Sequence, residues 1–169
     1  MIRINDLHAI RLIAMAAEVQ FVPKLHACLA RYSKEKDSLL GGVLFTDFRG
    51  GSVVMHWAGF HSNWISRSLI WLSFDYPFRQ LNVNKVFGLT PESNIIARNT
   101  ALRFGFKIEH VIEGVFKRAD GFNNLYVLGM RKEDCKWLDM PVPVIEWAPL
   151  ARTSNVDRLW TQMPSEMRH

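Results

Sequence analysis

The segment Val83–Phe106, VNKVFGLTPESNIIARNTALRFGF, constrains the fold more than any other part of the chain. Val83, Val86, Phe87 and Leu89 make an apolar β run. Thr90-Pro91-Glu92-Ser93 then offers two hydroxyls for a helix cap. With Thr90 as the cap, Pro91 takes the first helical position, where its missing N–H costs nothing. Ile95, Ile96, Ala97, Thr100, Ala101 and Phe104 repeat at helical spacing, Gly105 supplies a left-handed stop, and Phe106 restarts an extended segment. Strand, capped helix, glycine stop and strand, in that order, put the chain in the α/β class.

The flanking segments fill out that plan. Ile10–Val19 reads as a short helix, and Pro23 opens a second helical segment, Lys24–Tyr32, with Leu25, Cys28 and Leu29 on one side. Ser33–Asp37 is a charged turn. Leu39–Phe45 and Ser52–Trp57 are β runs joined through Gly50-Gly51, which suits a hairpin. Ser62–Leu81 reads as a long helix carrying Trp64, Ile65, Leu69, Leu72, Phe74 and Phe78, with Pro77 kinking its last turn. Lys107–Arg118 and Leu125–Arg131 form a closing hairpin about a turn at Ala119–Asn124.

A chain of 169 residues, 49% apolar and 22% charged, is one domain able to bury a core without staples. Four of its seven prolines fall beyond Asp139, which divides it into a body, 1–138, and a Pro/Trp-rich extension, 139–169. Trp147 and Trp160 suggest that the extension docks, either on its own domain or on a second subunit as a homodimer contact. The net charge of +5 sits wholly in the body, because the extension holds four acidic against three basic groups. Such a body favours anionic partners, a phosphorylated cofactor or nucleic acid. Cys28 and Cys135 lack disulfide or metal spacing and fit a reducing, cytoplasmic compartment. The apolar run near Met1 is too short and interrupted for a signal peptide or a membrane anchor. His8, His26, His56, His61 and His110 show no ligand spacing, so no metal is expected.

Pro91-Glu92-Ser93-Asn94, then Gly105-Phe106, then Glu113-Gly114 with Phe116 resemble the GNAT superfamily of acyl-CoA-dependent N-acyltransferases. The likeness is greatest to the branch acting on ribosomal-protein alanines. Asp75-Tyr76-Pro77-Phe78 with Leu81 and the stretch Asn124–Asp134 resemble the same branch, so the likeness covers about Ser38–Leu138. It implies an α/β (α+β) fold with a central mixed, mostly antiparallel sheet flanked by helices. It also implies an N-acetyltransferase that moves an acetyl group from acetyl-CoA to a primary amine by direct attack. The acceptor would be a protein N-terminus, a lysine or a small amine.

The resemblance assigns sites residue by residue. Backbone around Trp57 and Ala58 would hold the pantetheine arm, and Ser62, Asn63, Trp64, Ile65, Ser66 and Arg67 would hold the pyrophosphate at a helix start. Asn94 matches the family asparagine near the pantetheine, and it could equally be a capping residue alone. The family keeps glycines in the phosphate loop; this loop has none, and Trp64 and Ile65 add bulk there. His56 is the candidate base, or else a histidine packed on a strand. Glu113 matches an acceptor-side residue, or is a solvated strand carboxylate. Ala101 and Ala97 stand where the family has tyrosine and serine acids, leaving Ser93, Tyr76 and Tyr126 as candidate acids. Those departures favour a second reading, a GNAT-fold binding or structural protein without catalysis. A third is a nucleic-acid-modifying relative of the fold.

Overall fold

Residues 1–20, 22, 26–119 and 121–148 are described by the computed structural model. Within them β1 is Ile2–Ile4, α1 Leu7–Ala16, β2 Ala27–Tyr32, β3 Leu39–Thr46 and β4 Ser52–Gly59. The order continues with α2 Arg67–Asp75, β5 Lys85–Pro91, α3 Ile95–Phe104, β6 Lys107–Arg118 and β7 Gly121–Arg131. A π turn at Tyr76–Gln80 prolongs α2, and short 3-10 turns at Lys132–Asp134 and Lys136–Asp139 follow β7. The strands form one seven-stranded sheet in the order β1-β2-β3-β4-β5-β7-β6. Every neighbouring pair is antiparallel except β4 with β5, which is parallel. The α/β sheet with flanking helices is thus the architecture expected.

Apolar stripes decide which face each helix covers. Asp6 caps α1, its Oδ1 accepting from Ala9 N at 3.0 Å. The buried stripe Ala9, Ile10, Ile13 and Ala14 packs with Cys28, Ala30, Leu44 and Ala58 on one side of the sheet. The other side takes α2 and α3, where Val43, Phe45, Met55, Val86, Leu128 and Met130 meet Leu69, Phe74 and Phe104. Phe74 is fully buried at its centre, and the rings of Trp57, Phe104, Phe106 and Trp137 lie 6.1–6.4 Å from its own.

Four expectations change. Ala27–Tyr32 is a strand, not part of a helix. Leu25, Cys28 and Leu29 mimic helical spacing, but Ala27, Cys28, Leu29 and Ala30 are all buried, and an apolar run hidden on both faces is a central strand. The long helix of Ser62–Leu81 shrinks to α2. Pro77 cannot continue an α-helix, so the chain widens, with Leu81 N bonding Tyr76 O at 2.9 Å. Thr90 and Pro91 stay in β5, opposite Tyr126 and Leu125, and the helix cap is Asn94. The closing hairpin is tighter than expected, since Arg118 already pairs with Gly121.

The extension returns to the first strand. Ile2 N donates to Glu146 O at 2.7 Å and Ala148 N donates to Ile2 O at 2.8 Å, so Trp147 bridges Ile2 in parallel. Ser68 Oγ donates to Val144 O at 3.0 Å, tying the same segment to α2. Trp160 lies outside the described residues.

Candidate active site

Pairing between β4 and β5 ends early, after Ser52↔Lys85, Val53↔Val86 and Val54↔Phe87. Beyond those residues β4 follows β3 as far as Gly41↔Gly59, while β5 follows β7 to Pro91↔Leu125. The facing edges of the two strands border a wedge-shaped gap. Glu92 N donates to Asn124 O at 2.9 Å, toward β7. By strand alternation, Pro91 N and the peptide groups of Leu89 therefore face the gap. Pro91 has no N–H to leave unpaired there.

The loop from β4 to α2 ends beside this gap. Ser66 caps α2, its Oγ accepting from Leu69 N at 3.1 Å and its carbonyl from Ile70 N at 3.0 Å. The amides of Arg67 and Ser68 remain as first-turn donors without a partner among the described residues. Arg31 of β2 donates to Asn63 O and to Ile65 O, turning those loop carbonyls away from the helix start. Ser62, Asn63, Ile65 and Arg67 are exposed.

Trp64 behaves differently from its neighbours. It folds down across the Gly41–Gly59 pair: a Cβ on Gly59 would overlap the indole, and one on Gly41 would come within 2.9 Å of Trp64 Cβ and Cε3. Its bulk therefore lies on the sheet, where the paired glycines admit it. Trp57 meets it edge-on with centroids 5.9 Å apart, and touches Phe104 at 5.1 Å. The Trp57 indole N–H is buried without a partner among the described residues.

His56 points to the opposite face of β4 from Trp57. Its Nε2 lies 2.9 Å from Thr46 Oγ1, whose hydroxyl donates to Asp47 Oδ2 at 2.8 Å. Burial pushes the imidazole pKa down to about 4, against a smaller opposing pull from the Asp47 carboxylate, so the ring is neutral at neutral pH. Neither Thr46 nor Asp47 stands out in the sequence as a site residue. The available signal is the Thr-Asp pair where β3 enters its turn, with Asp47 at φ 52°.

Asn94 starts α3, its Oδ1 accepting from Ala97 N at 3.1 Å. It and Ser93 are exposed where β5 passes into α3, so both lie at the end of the strand bordering the gap. Glu113 is exposed on β6, with β5 and β7 between it and the gap. Tyr126 lies opposite Thr90 of β5, under the Arg98 guanidinium at 4.6 Å. Tyr76 is buried against Phe45, with ring centroids 4.9 Å apart, on the far side of β4 from the gap. The site thus gathers His56, Trp57, Ala58, Trp64, Ser66, Arg67 and Asn94 on the two elements that border the gap and those that follow them. Tyr76 stays apart.

No family model matches the sequence, and no curated protein matches it. Solved structures do. A mutant form of the spermidine/spermine N-acetyltransferase SpeG from Vibrio cholerae superposes with a TM-score of 0.65 at 15% identity, over 82% of this chain and 97% of that one. A GNAT-family acetyltransferase from Bacillus anthracis gives 0.53 at 10% identity, over 64% and 66%. A probable acetyltransferase gives 0.53 at 18% identity, over 64% and 61%. The chain has the fold of the GNAT acetyltransferases.

Proposed function

We propose that the protein is an N-acetyltransferase that uses acetyl-CoA to acylate a primary amine. The observation that carries this reading is the early end of β4–β5 pairing beside the uncommitted amides of Arg67 and Ser68. Free strand edges suit a pantetheine arm laid in as an added strand. Two helix-start amides with the Arg67 guanidinium suit a pyrophosphate. The buried, unpartnered Trp57 N–H offers one more donor beside the gap.

Acetyl-CoA, when bound, supplies the thioester carbonyl that the amine attacks, with its thiolate leaving. The chain's task is to place the amine and carry its proton. Thr46 accepts from His56 Nε2, which leaves Nδ1 as the lone pair free to take that proton. The resulting imidazolium would be stabilised through Thr46 by the Asp47 carboxylate. Ser93, where β5 passes into α3, and Tyr126, opposite Thr90, are the candidate acids, and Asn94 orders the start of α3. By the family resemblance alone Glu113 belongs to the acceptor side, and β5 and β7 stand between it and the gap.

A primary amine is the acceptor class. The likeness to the ribosomal-protein alanine branch favours a protein N-terminus, whereas the polyamine-acetylating neighbour favours a small amine. Free, buried Cys28 and Cys135 agree with work in the cytoplasm. One observation favours the alternative of a binding protein without catalysis: Ala97 and Ala101 stand on α3 at the positions where the family has its serine and tyrosine acids.

Calorimetric titration with acetyl-CoA, followed by an acceptor screen of peptide N-termini, lysine peptides and polyamines, tests the reading. Micromolar binding with turnover of one amine class supports it. Binding without turnover of any amine moves the protein to the non-catalytic alternative. No heat and no thermal stabilisation at millimolar ligand overturns both the cofactor and the reaction.

A further inference from the structure

A second cavity, of about 370 Å³, lies between the α2 side of the β1–β3 region and the extension. Its rings come from different parts of the chain: Phe45 of β3, Trp71 of α2, Tyr76 of the π turn and Trp147 of the extension. Phe74, on another side of α2, packs against Trp57 and Phe104 instead. The helix therefore separates two sites, and Ile145 and Trp147 help wall the second.

Among the described residues one charged group lines this apolar space. Asp75 is only 7% exposed. Its Oδ1 accepts from Arg79 Nη1 at 3.3 Å and its Oδ2 from Gln80 Nε2 at 2.9 Å. A carboxylate has about four acceptor positions, so these two bonds leave capacity on both oxygens. Arg79 reaches in from outside; its other amino group donates to Leu138 O at 2.7 Å, and its side chain is 46% exposed. Among the described residues no basic one lines the cavity itself.

We propose that this cavity binds an organic cation, an alkyl- or arylalkyl-ammonium, with the ammonium at Asp75 and the apolar body among the four rings. A buried carboxylate attracts a cation far more strongly than one in water. Aromatic faces add to that attraction and also accept hydrocarbon. A neutral alcohol of the same shape would keep the apolar contacts and lose both electrostatic terms. An anion would be repelled. The extension acquires a role in this arrangement, as a wall of the binding site.

The test uses the full chain titrated by calorimetry with 4-phenylbutylamine and, separately, 4-phenylbutan-1-ol. The amine should bind at least about tenfold more tightly than the alcohol. Asp75→Asn should bring the amine down to the level of the alcohol, and Trp147→Ala should weaken both at least about fivefold. His56→Gln should leave both unchanged. Equal affinities in the wild type, or no binding of either at millimolar concentration, overturn the proposal. So does amine binding that survives Trp147→Ala and is lost in His56→Gln, which would place the amine at the acyl-transfer gap. Trp147 is half exposed, so its variant and the two-ligand comparison remain decisive if Asp75→Asn does not fold.

Discussion

His56 Nε2 lies 2.9 Å from Thr46 Oγ1, and because that hydroxyl gives its proton to Asp47, the contact holds the imidazole in its Nε2–H form. The neutral ring is a consequence of burial.

This arrangement makes stability depend on pH. The folded pKa, about 4, lies below the unfolded value of about 6.5. Between those values the unfolded chain binds a proton that the folded one refuses, so stability is full above the unfolded value and falls as pH drops toward the folded one. The loss for this one buried group is on the order of 3 kcal/mol at most. Urea denaturation at pH 7.5 and pH 4.5 should show it. His56→Gln should flatten most of the slope, leaving a remainder from His26, whose pKa burial also lowers. An unchanged slope in the variant would show that other groups control acid sensitivity.

Gly59→Ala should destabilise the protein by about 1–3 kcal/mol, the usual cost of overpacking, because the added methyl meets the Trp64 indole. Trp64→Ala alone should also destabilise. In the double variant the two losses should fall well short of adding, since the clash disappears with the ring. Additive losses would mean that the ring moves aside freely.

Phe74→Ala should cost about 3–5 kcal/mol, the range for a large aromatic removed from a closed core. Chemical denaturation measures it. A loss below about 1 kcal/mol would show that α2 and α3 collapse into the space.

Asn94 separates capping from ligand binding. Asn94→Ala removes the bond from Ala97 N and should cost about 1 kcal/mol. Asn94→Asp keeps an accepting oxygen and should hold the melting temperature near wild type. If the side chain also approaches acetyl-CoA, both variants should weaken its binding, and by more than the stability change explains. Wild-type affinity in Asn94→Asp would leave Asn94 as a cap only.

Much of this fold is written locally. Leu39–Phe45 and Ser52–Trp57 form their hairpin as the glycines direct, and Gly105 ends α3 at φ 108°. What the sequence hides is tertiary. Whether Cys28 and Leu29 belong to a helix stripe or a buried strand depends on α1 and α2 covering both faces of β2, and neither neighbour is visible in the local pattern. Trp64 reads as an obstruction in the phosphate loop because Gly41, which accommodates it, lies more than twenty residues earlier. The Thr46–Asp47 support of His56 crosses a hairpin and follows from register alone. Asn94 is visible in the sequence as one possible cap of α3, but the place of Arg67 in the first turn of α2 is not, because the local pattern starts that helix at Ser62.

The bridge between Ile2 and Trp147 reaches beyond the extension itself. Ile2 has given both of its outward peptide groups to residues 146 and 148, and β1 has only three residues. That margin of the sheet is largely closed to another strand, whereas β6 runs for twelve residues along the opposite margin. With one margin closed, copies that met strand to strand would join β6 to β6 and then stop. Such contact ends in a pair, and the architecture guards against a growing fibre.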